Sequence, residues 1–197
     1  LHSPCTNFAT AKLGNNSTIN TTIMQILLAN AKIMFDKAER TPRSFPRFQT
    51  IADALATEMA RMDVEDLAKQ LNCSTKIAAE NWKRYHNFIA AEKMPAIFAY
   101  NGQAYKHLKA NTLSDKALDY AQQHLWITCF LYGLLQPMDG IVPYRMEHCV
   151  TLETTHDKPV NQFWKDYLTD LLIDSVKADD GVLIQLSTEE YEHLFDW

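Results

Sequence analysis

Glycine is scarce in this 197-residue chain, with five residues in all and none in a GxGxxG or Walker spacing. A glycine-rich loop cradling phosphate on backbone N–H groups is therefore excluded. HExxH and GxSxG are also absent, which removes the helical zinc-protease pattern and the nucleophile elbow. The four cysteines, Cys5, Cys73, Cys129 and Cys149, are scattered and form no CxxC pair. Neither a disulfide framework nor a cysteine zinc site fits, and buried free thiols in a reducing cytosol are expected. No apolar run approaches the ~20 residues of a membrane span, so neither a membrane partner nor a membrane location is expected. The opening "LHSPCTNFATAKLGNNSTINTTI" lacks the ordered basic, apolar and cleavage segments of a secretory signal. Its glycosylation-type triplets at Asn15, Asn16 and Asn20 then read as parts of a polar tail. A cytoplasmic location is the expectation.

What is present is the composition of a soluble globular domain: 47% apolar and 22% charged residues. The formal charge is −5 but unevenly placed, with residues 178–197 holding six acids and no Lys or Arg. Residues 24–116 hold 14 basic and 10 acidic residues, which leaves room for a local basic face. Residues 1–23 read as a disordered or extraneous polar tail and 24–197 as a single domain.

Along that domain, Ile26–Ala29 suits a short buried strand. A Pro-broken loop carries Arg40, Arg43 and Arg47. Phe48, Ile51, Ala52, Leu55, Met59 and Met62 fall at helical spacing. Asp63 and Ser74 read as N-caps of two further helices. "AIFAYNGQAY" reads as β-like, with Asn101-Gly102 suited to a tight turn at positive φ. Ser114 starts an apolar helical stripe through Leu118, Ala121, Leu125, Thr128, Cys129, Tyr132 and Leu135, which Pro137 ends. "CVTLET" and "GVLIQL" read as strands, the latter buried. "VNQFWKDYLTDLLIDSV" reads as a helix, and "STEEYEHLFDW" as a helix capped by Ser187. Strands separated by runs of helix predict an α+β fold with a mixed β-sheet surrounded by helices.

"GQAYKHL", "DYAQQHL", "LYGLLQPMD", "PYRMEH", "NQFWKDYLTD" and "EEY" occur in that order. Together they resemble the YaaA family of bacterial peroxide-stress proteins, from Met24 to Trp197. The resemblance implies the family's α+β cantaloupe fold and a cytosolic role in the hydrogen peroxide response, limiting free iron and DNA damage. It implies duplex or branched DNA as partner, bound through a helix-hairpin-helix element and a basic cleft. No enzymatic reaction is established for the family, no cofactor is expected, and protein partners are left open. Some positions depart from the family pattern. Ala29-Asn30 replaces Ser-Pro, Ile33 replaces Thr, and Trp126 and Gln136 stand where arginines are common. The family usually continues beyond the "EY" stretch with a basic Lys-Ala-Arg-Gly segment, so this copy is expected to be C-terminally incomplete, with less of the cleft's charge.

The candidate hairpin is Gly133–Gly140, with Gly133 allowing close approach of phosphate and Asp139 capping the segment after it. Lys32, Lys106, Gly133, Tyr144 and Arg145 are the DNA-binding candidates. Tyr132, Asp139 and Glu147 are orienting or structural. On a strand, Arg145 and Glu147 would share a face, either as a structural salt bridge or with Glu147 aiming Arg145 at an anion. The alternative function is an enzyme acting on a nucleotide or other anionic small molecule with Lys32, Arg145 and Glu147. No metal site is expected, because Glu147, His148 and Cys149 on a strand would point to opposite faces. His124 reads as a packed, hydrogen-bonded residue rather than a catalytic base.

Overall fold

The computed structural model describes residues 24–197. The expected polar tail, 1–23, lies outside them. Strand β1 (Gln25–Ala29) leads into helices α1 (Gln49–Ala60), α2 (Val64–Gln70) and α3 (Thr75–His86). Two of the predicted caps form. Asp63 accepts the Asp66 N–H at 2.8 Å and Ser74 accepts the Ile77 N–H at 3.4 Å. Ala52, Leu55, Ala56 and Met59 are the buried face of α1. On α3 that face is Ala78, Asn81 and Tyr85, while Ile77 is exposed.

The next segment departs from its β-like reading. After the two-residue strand β2 (Met94–Pro95), "AIFA" makes the single-turn helix α4 (Ala96–Ala99), and α5 runs Gln103–Leu108. Pro95, with its fixed φ and missing N–H, suits the turn that starts α4. Gly102 precedes α5 at φ −88°, so it forms no positive-φ turn. Its small size matters instead, because a Cβ there would lie 2.7 Å from the Ala31 Cβ.

The long helix predicted from Ser114 stops at half its length. Helix α6 runs Asp115–His124, and the chain continues directly into β3 (Leu125–Cys129) and β4 (Gly133–Leu135). Every residue of both strands is buried. Trp126, Ile127, Thr128 and Phe130 are aromatic or β-branched, and a strand buried on both faces needs a continuous apolar run rather than alternation. After β5 (Gly140–Ile141), residues 143–150 form no strand and "CVTLET" ends in a single turn of tight helix at Glu153–Thr155. Helices α7 (Val160–Phe163) and α8 (Lys165–Ala178) follow, then β6 (Leu183–Leu186) and α9 (Glu189–Glu192). Thr188 rather than Ser187 precedes α9, without a side-chain cap.

The fold is α+β. The main sheet has the order β4-β3-β1-β6, with β1 parallel to β3 and β6 and β3 antiparallel to β4. It is thus the expected mixed sheet. β6 is its outer strand and is mostly exposed rather than buried, with Leu186 58% accessible. A second pair, β2-β5, is antiparallel. One apolar core joins the sheet to α1, α2 and α3, and Trp164, fully buried, donates to the Phe130 carbonyl at 2.8 Å.

Candidate functional site

Parallel strands bring their C-terminal ends to one edge, and loops leaving that edge converge. β1 ends at Ala29 and delivers Asn30 and Lys32, while β6 is followed by Glu190 and Tyr191 on α9. The irregular segment 143–147 brings Tyr144, Arg145 and Glu147 to the same place. Lys32 Nζ lies 2.7 Å from Glu147 Oε2 and 3.9 Å from Glu190 Oε1. Arg145 Nη2 lies 2.7 Å from Glu147 Oε1. Glu147, only 6% exposed, therefore holds one cation on each oxygen. Tyr85 fixes the segment by donating its hydroxyl to the Arg145 carbonyl.

Behind the charges lies a chain of hydrogen-bonded hydroxyls. Tyr191 donates to Asn30 Oδ1, Asn30 Nδ2 donates to the Tyr144 hydroxyl at 3.2 Å, and that hydroxyl lies 2.9 Å from the Tyr100 hydroxyl. Tyr105 donates to the Ala29 carbonyl at 2.9 Å. Burial pushes Tyr100, Tyr105 and Tyr144 well above the usual phenol range, and Cys129 beside them up to about 11. These groups stay protonated and serve as neutral donors and packing. The Tyr191 ring stacks on Phe130 at 4.7 Å.

A second surface feature adjoins the first. A cleft of about 330 Å³ is walled by Phe35, Phe98, Tyr100 and Tyr105, with Lys106 and Lys109 on its lining. A neighbouring cleft of about 430 Å³ shares Phe35 and Phe98 and adds Lys37. Lys37, Lys106 and Lys109 are exposed and have no ion-pair partner among the described residues. Lys109 closes the turn between α5 and α6 in the left-handed region, at φ +49°.

A family model described as peroxide stress protein YaaA matches residues 24–197. The chain belongs to the YaaA family. It is 40% identical over 178 residues to a UPF0246 protein of Bacteroides fragilis, covering 88% of this chain and 69% of that protein. It is likewise 40% identical over 181 residues to a UPF0246 protein of Porphyromonas gingivalis, covering 88% and 70%. With a Bacteroides thetaiotaomicron UPF0246 protein it shares 38% identity. Those names carry no activity.

Several expected site residues lie elsewhere in the fold. Gly133–Gly140 is not a helical hairpin but strand β4, a turn and the start of β5. Gly133 is buried at φ +74°, facing Trp164, and Tyr144 is 2% exposed, so neither lies where a duplex can touch it. Asp139 caps no helix. It braces the turn by accepting from Ser44 Oγ at 2.6 Å and the Gln136 N–H at 2.7 Å, while burial raises its pKa. Tyr132 accepts the Val142 N–H at 3.3 Å inside the core. Trp126 is buried and donates to Gln25, and Gln136 donates to the Gln122 carbonyl. These two positions face the interior network rather than an open cationic surface.

Arg40 and Arg43 of the Pro-broken loop bind Asp115 and Asp119 of α6. His124 packs as expected, its Nδ1 2.9 Å from Asp179. The strand argument against a shared metal does not hold, because 148–149 is a turn. Glu147, His148 and Glu190 offer ligand atoms within 4.8 Å of one another. The Lys32 ammonium, however, already binds Glu147 at 2.7 Å and lies 3.9 Å from Glu190. Of the three described thiols, Cys129 is buried, Cys73 half-buried and Cys149 exposed, so burial holds for one. No helix among the described residues is long and apolar enough to cross a membrane. Sequence reasoning missed Asn30, Glu190 and Tyr191, since only the parallel pairing of β1 with β6 brings them together.

Proposed function

We propose that this peroxide-stress family member binds duplex or branched DNA through the α5–α6 corner. The observation that carries this reading is the set of three exposed lysines, Lys37, Lys106 and Lys109, beside an aromatic cleft and without carboxylate partners among the described residues. Lysines free of internal partners neutralise backbone phosphates irrespective of sequence. Asp115 and Asp119 would repel phosphate there, but Arg40 and Arg43 neutralise them. The outcome the family suggests is less DNA damage and less free iron under peroxide. Fluorescence anisotropy with a duplex oligonucleotide tests the reading. Three phosphate contacts give a slope of log K against log salt of about −3. Replacing all three lysines with Glu should abolish binding while leaving the melting temperature unchanged. Undiminished binding by that variant sinks the assignment.

A second reading, recognition of an anionic small molecule, is favoured by the meeting of Lys32 and Arg145 at Glu147. A thermal-shift screen of anionic metabolites on the whole chain tests it, with no stabilisation by any of them as the contrary result.

A further inference from the structure

The Lys32–Arg145–Glu147 cluster is unbalanced in charge. One buried carboxylate faces two cations, each at 2.7 Å, so one positive charge remains over. Glu190 meets it only loosely, 3.9 Å from Lys32 Nζ and 3.3 Å from His148 Nδ1. Arg145 itself is incompletely satisfied. Its Nε is buried and finds no acceptor, and Glu147 Oε1 receives no aligned hydrogen bond despite the close Nη2 contact. A buried donor left unsatisfied costs about 1–3 kcal/mol, and such a group in a folded protein calls for a missing partner. Location points the same way. The cluster lies beyond the C-terminal ends of parallel strands, where ligands of open sheets settle.

We propose that Lys32 and Arg145 form a binding site for the carboxylate of a small organic acid, and that the Glu190 side chain occupies it as an internal stand-in until the ligand displaces it. This deepens the small-molecule reading of the same cluster and rests on it. The single residual positive charge matches a monoanion, and the resident group is itself a carboxylate. Glu190 is free to leave. Its side chain is 30% exposed, and it sits on the four-residue helix α9. Tyr191 next to it stays as the pivot, held by Asn30 and Phe130. The ligand carboxylate would then take Lys32 Nζ and the orphaned Arg145 Nε as donors, leaving Glu147 to hold both cations in place.

The test monitors the Arg145 Nε–H resonance, assigned by its loss in Arg145→Lys, during titration of the whole chain with acetate and separately with inorganic phosphate. We expect acetate to shift it saturably, and Glu190→Gln to lower the acetate midpoint about tenfold. Lys32→Met, which keeps the side-chain stem, should raise it about tenfold. Glu190 is partly exposed, so its variant is not at risk of unfolding, and circular dichroism checks the other two. A resonance unmoved by either anion in both wild type and Glu190→Gln overturns this inference and the reading beneath it. Saturation by phosphate alone overturns the carboxylate assignment and the stand-in role while leaving the small-anion reading intact.

Discussion

Glu147 shows how one side chain organises a site through charge. Its carboxylate ties Lys32, from the end of β1, to Arg145, 113 positions later in the sequence. Removing one partner of a buried pair costs about 3–5 kcal/mol. Lys32 is half exposed, so solvent screening reduces that figure. Glu147→Gln should therefore lower stability by about 2 kcal/mol, measured by urea unfolding. Gly133 has a different constraint. At φ +74°, a Cβ would lie 2.9 Å from the Trp164 ring. Gly133→Ala should cost about 2–4 kcal/mol through backbone strain and overpacking. Thiol reactivity follows exposure and pKa. Cys149 is exposed, whereas burial holds Cys129 up near 11. Iodoacetamide followed by mass spectrometry should label Cys149 in the native chain and Cys129 only after unfolding.

At the scale of elements, local signals were readable wherever they were complete within a few residues. The caps at Asp63 and Ser74 are of this kind, and Asp63→Ala should cost about 1 kcal/mol. β3 was not readable, because Leu118 to Leu135 satisfies helical spacing and is also a continuous apolar run. Pairing with β1 decides between the two, since Ile127 gains a ladder partner in Leu28 and Thr128 one in Ala29. The shared face of a strand expected for Arg145 and Glu147 does not form, yet the two do pair. Another element depends on a distant anchor. Glu58 of α1 accepts the Glu153 and Thr154 N–H groups. Burial raises its pKa, but the Thr154 and Glu153 bonds outweigh this and hold it below the usual carboxylate range. With a depressed folded value, the stabilisation is complete above the unfolded carboxylate's pKa and is lost as pH falls through the lower folded one. The melting-temperature gap between wild type and Glu58→Gln should therefore narrow as pH drops from about 6 to about 3.

At the scale of the whole molecule, the single core joining sheet and helices implies one cooperative transition. Tryptophan fluorescence and circular dichroism should report coincident urea midpoints, and separate midpoints would show that α1–α3 unfold independently. The amino-acid sequence by itself determined the family, through motifs that are contiguous, and the α+β class, through helical periodicity and caps. It also placed the apolar runs that become β1 and β3. Only the tertiary structure decided which candidates reach solvent. Gly133 and Tyr144 went inside, Lys106 stayed outside, and Lys32, Arg145 and Glu190 met at the open end of three parallel strands. The physical reason is range. Capping and periodicity act within a few residues, whereas strand pairing and charge neutralisation join residues whose proximity no local pattern records.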